Sequence, residues 1–196
     1  AGASRLLIRH MGEDVGELHW TLTGAHNAAN ALAAIAAARH VGVMPAQAIE
    51  ALSGFAGVKR RMELRGTPGG IRVFDDFAHH PTAIRTTLAG LRAGHDPGRV
   101  LAVFEPRSNT MRRGVHAKTL AASFADADHV FVYDADLGWD AATVFESLGE
   151  AVTRCSDLDS LVAEIATMAM PGDSVVVMSN GGFGGIQTKL LEALAD

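Results

Sequence analysis

The chain has a single cysteine, Cys155, in 196 residues. One cysteine excludes an internal disulfide and leaves no cysteine cluster for zinc. As a small apolar residue it is expected to sit half-buried. Tyr133 is the only tyrosine, and aromatic residues make up 6% of the chain. That leaves little for the stacking platforms of single-strand nucleic-acid binders. The formal charge is −5, with acids and bases interspersed, so no basic face for nucleic acid is expected. No apolar run approaches the roughly 20 residues of a spanning helix, and no charged-then-apolar leader marks secretion. These absences point to a soluble, cytoplasmic protein. G-x-x-x-x-G-K-[ST] is also absent, so a phosphate-cradling loop of that type is not here. What remains is 48% hydrophobic, ample for the core of one domain, or of one and part of another.

The most informative stretch is Val73-Phe74-Asp75-Asp76-Phe77-Ala78-His79-His80-Pro81-Thr82. An apolar run from Ile71 to Phe74 ends in two acids. Two histidines follow, and Pro81 opens the apolar-periodic Ala83-Ile84-Leu88-Leu91. This reads as strand, polar loop and helix with proline in the first turn. The pattern recurs. Val100–Phe104 runs into Glu105-Pro106-Arg107-Ser108-Asn109-Thr110, Val130–Tyr133 into Asp134-Ala135-Asp136, and Val175–Met178 into Ser179-Asn180-Gly181-Gly182-Phe183-Gly184-Gly185. Near-continuous apolar strands belong to a parallel sheet covered on both faces. Right-handed crossovers put all four loops at one edge, beyond the carboxyl ends where open α/β sheets bind ligands. One rim therefore gathers Asp75, Asp76, His79, His80, Glu105, Arg107, Asn109, Asp134 and Asn180.

Elsewhere, Gly16 to Thr23 alternates enough to be a strand, and residues 1–14 show no clean period. Ala25 to Val41 is an alanine-rich helix with Leu32, Ile35 and Ala36 on one face, and Pro45 starts another through Leu52. Residues 62–66 and 71–76 flank Thr67-Pro68-Gly69-Gly70, a hairpin turn. Further helices are expected near 82–93, 115–124, 140–149, 157–169 and 185–194, with the last strand near 173–179. Residues 1–57 do not make a complete layered domain. The expected organisation is a remnant of one α/β domain over 1–57 and a whole mostly parallel α/β domain over 58–196.

Several groups invite chemistry, each with a plainer alternative. Asp75 and Asp76 point to opposite faces of a strand end. One can accept two hydrogen bonds from a ribose diol while the other caps or holds a cation. His79 and His80 are adjacent and lack a third ligand at recognised spacing, so no metal site is assigned. The glycine loop at 181–185 either wraps an anion with its N–H groups or simply packs strand against helix. Gln187 stands where the third glycine of a dinucleotide fingerprint belongs. Asn27 and Asn30 share a helix face, where an amide pair can read an adenine edge or one of them can cap the helix. Arg60 and Arg61 suit phosphate, or form a solvated pair.

Gly24-Ala25-His26-Asn27-Ala28-Ala29-Asn30, Arg61-Met62-Glu63 and Asp75-Asp76-Phe77-Ala78-His79-His80-Pro81 together resemble the Mur ligase family, the ATP-dependent amide-forming enzymes of peptidoglycan synthesis. The resemblance implies a Rossmann-like C-terminal domain preceded by the end of a central ATPase domain. The N-terminal domain and most of the central one would be missing partners on the same polypeptide. It implies an acyl phosphate formed with ATP and Mg2+, the main metal ligands lying outside this chain. Asn27 and Asn30 would then face the adenine, Arg61 the phosphates and Asp76 the ribose. His79 and Arg107 would lie towards an incoming peptide, with His80, Ser108, Asn109 and Asn180 beside them as substrate-binding candidates; no residue here is read as catalytic. Glu105-Pro106-Arg107-Ser108-Asn109-Thr110-Met111 and the glycine loop look like the branch that joins UDP-N-acetylmuramate to the murein tripeptide L-alanyl-γ-D-glutamyl-meso-diaminopimelate in peptidoglycan recycling. The alternatives are the UDP-N-acetylmuramate–L-alanine ligases and a non-catalytic nucleotide- or anion-binding module.

Overall fold

The computed structural model describes residues 4–94 and 98–195. They fall into two compact units. One runs to Val58 and takes in Ala93; the other comprises Lys59–Arg92 and the described residues from Gly98 on.

The first unit is an antiparallel hairpin, β1 (Ser4–His10) and β2 (Glu13–Trp20), with two helices, α1 (Ala25–His40) and α2 (Pro45–Ser53). Met11 and Gly12 form the two-residue turn, both at positive φ (52° and 88°), the backbone twist that tight hairpins prefer. β1 escapes a sequence reading because its Leu6-Leu7-Ile8 run does not alternate and its turn carries Met11 in place of asparagine or aspartate. Ile8, Leu18 and Trp20 pack with Ala31 and Ile35 of α1 and Ala48 and Ile49 of α2. The expected inner face of α1 needs correction, since Leu32 is 50% exposed and Ala36 is exposed too. The pair turned inward is Ala31 and Ile35, four residues apart and so on one stripe.

The second unit is built on six strands: β3 (Glu63–Gly66), β4 (Arg72–Asp76), β5 (Val100–Phe104), β6 (His129–Tyr133), β7 (Val152–Cys155) and β8 (Ser174–Met178), in the order β3-β4-β8-β5-β6-β7. β3 pairs antiparallel with β4 across the Pro68–Gly70 turn, and every other pairing is parallel. Side chains alternate between two cores, as the strand period requires. Val100, Ala102 and Phe104 of β5 join Ile84 and Leu88 of α3 (Pro81–Arg92), Phe124 and Phe145 on one face. Leu101 and Val103 join Leu161 and Ile165 of α7 (Leu158–Met168), with Ile186 and Leu190 of α8 (Ile186–Ala193), on the other.

Two expected helices are shorter than their patterns. Residues 115–124 hold α5 (Ala117–Leu120) and a 3-10 turn, and 140–149 hold α6 (Ala141–Phe145) and a 3-10 segment. Gly149, at φ 54° and ψ −123°, breaks the second one. β8, the last strand in sequence, is inserted between β4 and β5. The carboxyl ends of β4, β8 and β5 are therefore neighbours, and this positions the site.

Candidate functional site

At the end of β4 the two acids do separate work. Both are 3% exposed. Asp76 faces α3 and is filled by the protein. One oxygen accepts from the Met62 N–H at 2.8 Å, the other from the Ala78 N–H at 2.8 Å and the Thr87 hydroxyl at 3.3 Å. Burial pushes its carboxyl above the ordinary value of 3.8, against the pull of those two N–H groups, Arg61 and Thr87. Asp76 thus ties the β3 approach, the 77–80 loop and α3 into one corner. A carboxylate has about four lone-pair sites, so a ligand hydroxyl would join contacts already made.

Asp75 faces the other side. Its Oδ2 is 3.4 Å from Arg60 Nε and 4.0 Å from an Arg65 nitrogen. Its Oδ1 is buried with no hydrogen-bond partner. Arg60, half-buried at φ 58°, lays Nη2 between the carbonyls of Ser179 (2.6 Å) and Gly181 (2.7 Å). Arg61 is exposed. It stacks over Phe77 at 5.4 Å and makes no ion pair among the described residues. The two arginines are therefore not equivalent: one is spent inside the protein and the other is presented.

His79 bonds the Phe77 carbonyl through Nδ1 at 2.9 Å and meets the Phe77 ring edge-on, and its other nitrogen has no partner among the described residues. The exposed His80 accepts from the Thr82 N–H at 3.3 Å and lies against His116, ring centroids 4.4 Å apart. His116 was not singled out by sequence reasoning, because no motif marks it inside the stretch expected to be helix; in the structure it stands in the turn that opens α5.

After β5, Ser108 caps α4 (Asn109–Arg112), accepting from the Met111 N–H at 3.3 Å. Asn109 is exposed on its first turn. Glu105 receives a short hydrogen bond from the Ser179 hydroxyl, which also accepts from the Gly181 N–H at 2.9 Å. Arg107 is exposed and has no carboxylate partner among the described residues. Its guanidinium lies over Gly181, where a Cβ would run into it. Asn180 is half-buried, with its Oδ1 enclosed and unpartnered.

The glycine loop serves packing in large part. Phe183 is buried at φ 41° and meets the Tyr133 ring at 5.6 Å. Gly184 (φ 57°) comes so close to Leu158 that a side chain would clash. The Gly181 and Gly185 N–H groups are bonded within the loop, to the Ser179 hydroxyl and the Gly182 carbonyl.

In the first unit Asn27 does not cap α1. Its side-chain amide donates to the Thr23 carbonyl at 2.7 Å, and Gly24 holds the cap position without a side-chain bond. Asn30 is exposed one turn on. Among the described residues no group of three or more His, Cys, Asp or Glu is arranged to hold a metal ion, and no helix is long and apolar enough to cross a membrane.

Residues 60–181 match the family model described as Mur ligase, glutamate ligase domain. A UDP-N-acetylmuramate–L-alanyl-gamma-D-glutamyl-meso-2,6-diaminoheptandioate ligase of Escherichia coli K12 is 52% identical over 186 residues, which are 94% of this chain and 41% of that protein. A UDP-N-acetylmuramate–L-alanine ligase of Mycobacterium sp. strain JLS is 40% identical over 184 residues, covering 89% of this chain and 38% of its own. The crystal structure of a murein peptide ligase from Psychrobacter arcticus has a TM-score of 0.71 and 46% identity, over 92% of this chain and 39% of that one. The chain thus spans about two fifths of the length of the curated relatives it matches.

Proposed function

The chain belongs to the Mur ligase family, and from that premise we propose that it is part of a longer cytoplasmic ligase. That enzyme joins UDP-N-acetylmuramate to the tripeptide L-alanyl-γ-D-glutamyl-meso-diaminopimelate at the expense of ATP. Residues 1–57 close its central ATPase domain, and 58–196 form the domain that receives the peptide. Peptidoglycan recycling follows from the use of a preformed tripeptide. The tripeptide reading is favoured over L-alanine by identity: 52% against 40% over similar lengths of this chain.

The observation that carries the peptide role is Arg107. Its charge is presented at the rim with no acid to pair with among the described residues. The surface ion pair with Glu105 that would explain it away is absent, because Glu105 is engaged by Ser179. A planar guanidinium pairs with a carboxylate through two parallel N–H bonds, and the tripeptide carries several carboxylates. His79, His80, Ser108, Asn109 and Asn180 surround the same edge as further substrate contacts.

ATP supplies the phosphoryl group that activates the muramyl carboxylate, and the peptide amine displaces it as phosphate. What this chain contributes is binding and orientation, which carry most of the catalysis in such chemistry. Arg61, exposed and in no ion pair among the described residues, reaches the phosphates. Asn27 and Asn30 face the adenine, and Asp76 holds a ribose hydroxyl beside its internal bonds. Mg2+ accompanies ATP, with its ligands supplied by the rest of the polypeptide.

Steady-state kinetics of the full-length ligase test the reading. Arg107→Ala should raise the tripeptide KM about 10- to 150-fold, the worth of a charge-assisted bond, and leave the ATP KM little changed. Arg107→Lys should rescue poorly, since lysine lacks the planar fork. An unchanged kcat/KM for tripeptide removes the assignment. A higher kcat/KM for L-alanine than for tripeptide would favour the alanine-ligase reading.

A further inference from the structure

Arg60 has no part in the reading above, yet it is held at the rim from several sides. One nitrogen donates to two carbonyls of the same loop, Ser179 and Gly181, at 2.6 and 2.7 Å. Its Nε faces the buried Asp75 at 3.4 Å. Its own N–H donates to Glu63 at 2.9 Å, and its guanidinium lies over Phe77 at 5.3 Å. Two carbonyl dipoles aimed at one half-buried point repel each other unless a cation lies between them. Without Arg60 those peptide groups must turn towards water. The Gly181 backbone on which the Arg107 guanidinium rests would turn with them.

We propose that Arg60 is a positioning residue: it clamps the glycine loop through the Ser179 and Gly181 carbonyls and so seats Arg107, while Asp75 holds Arg60. The clamp extends the assignment of Arg107 to the peptide carboxylate and rests on it. Arg60 touches neither nucleotide nor peptide. It differs in this from Arg61, its neighbour in sequence, which is exposed and makes no ion pair among the described residues. The orphaned Asp75 Oδ1 fits the scheme. Asp75 serves Arg60 through its charge and not through a full set of hydrogen bonds.

Amide hydrogen exchange on this chain separates a local clamp from general stability. The reporters are the N–H groups of Gly181 and Gly185, bonded inside the loop. The references are those of Val175–Val177 in β8. Removing Arg60 alone would strand a buried carboxylate and risk the fold. The variants are therefore Arg60→Lys, which keeps the charge and loses the fork, and Arg60→Met combined with Asp75→Asn. Both should quicken exchange at Gly181 and Gly185 by about tenfold or more, the worth of one charge-assisted hydrogen bond, and leave β8 unchanged. In the full-length ligase the same variants should raise the tripeptide KM by about tenfold with the ATP KM little moved. Unchanged exchange at both glycines overturns the clamp. So does equal quickening throughout β8, or a raised ATP KM in place of the tripeptide KM. Faster loop exchange together with an Arg107→Ala enzyme of normal tripeptide kcat/KM would keep Arg60's hold on the loop and discard the role given to Arg107.

Discussion

Gly181→Ala offers a test in which the fold and the site should respond differently. A Cβ at Gly181 would meet the Nη1, Cδ and Cζ atoms of Arg107 and no backbone atom is among its nearest neighbours. The obstacle is thus the far end of a flexible, exposed side chain, which can move away. Gly181 is not among the glycines held at positive φ, so alanine needs no strained backbone. It also lowers the entropy of the unfolded chain, an effect worth about 0.4–1 kcal/mol in favour of folding. Lost contact of an exposed arginine works against this, so the urea midpoint should move little in either direction. The guanidinium, however, is driven off its seat. If it grips the tripeptide through a charge-assisted pair worth about 1.5–3 kcal/mol, the tripeptide KM of the full-length ligase rises about 10- to 150-fold. A double-mutant cycle makes the route explicit. Gly181→Ala acts through Arg107, so adding it to Arg107→Ala should cost nothing more. Independent, additive losses in the double variant would refute the argument, as would a wild-type tripeptide KM in Gly181→Ala.

Four further outcomes follow from other parts of the second unit and its junction. Asp173 accepts two bonds from Arg99 (3.1 and 2.6 Å) and one from the Met170 N–H. Asp173→Ala should cost about 2 kcal/mol in urea denaturation, part of it screened because Arg99 is half-exposed. Burial opposes the Asp173 charge, but Arg99 and the Met170 N–H outweigh it and hold the carboxyl below its ordinary 3.8. Its contribution is therefore present above that value and lost as the pH falls through the lowered one, a loss that Asp173→Ala should abolish in acid titrations. Asp76 runs the other way, its carboxyl raised by burial. Its contribution is full below 3.8 and fades as the pH rises through the raised value, so Asp76→Asn should flatten stability against pH just above 3.8, read by thermal melts across that window. Asp157 caps α7 through the Ser160 N–H at 2.8 Å, and Asp157→Ala should lower the urea midpoint in the same denaturation assay, since the cap bond is lost. Arg61→Ala should raise the ATP KM of the full-length ligase and leave that of tripeptide in place; the opposite pattern would exchange the roles of Arg61 and Arg107.

Much of the architecture is legible because a parallel sheet buried on both faces writes itself as apolar runs. β4, β5, β6 and β8 each stand out in this way, and each run ends in a polar or glycine-rich loop. β7 does not stand out, since Val152-Thr153-Arg154-Cys155 is four residues long at the sheet edge and only half-buried. Short helices are equally hard to read. The patterns at 115–124 and 140–149 are apolar enough for one long α-helix each, but in both the α-helix gives way to 3-10 winding, after Leu120 and after Phe145, and Gly149 kinks the second 3-10 segment. The opposite faces of Asp75 and Asp76 follow from a period of two alone. Which one the protein fills does not, because that depends on Met62 from the β3 approach and Thr87 from α3 closing around Asp76.

The strand order decides the rest of the site. Right-handed crossovers put every loop at one edge but leave open which loops touch. Read along the chain, the obvious partner for Arg107 is Glu105, two residues away. In the fold β8 lies between β4 and β5, and Ser179 arrives beside Glu105 from the far end of the sequence and takes its carboxylate. Arg107 is left without an acid among the described residues and settles over Gly181. The same insertion brings the Ser179 and Gly181 carbonyls within reach of Arg60, which approaches from the β4 side. Arg60 and Arg61 look alike as a sequence pair. They part in the fold: Arg60, at positive φ, reaches the Ser179 and Gly181 carbonyls, while Arg61 stays exposed. A single topological choice, the last strand placed between the second and third, thus converts one arginine into scaffold and leaves two others, Arg61 and Arg107, with charge to offer a ligand.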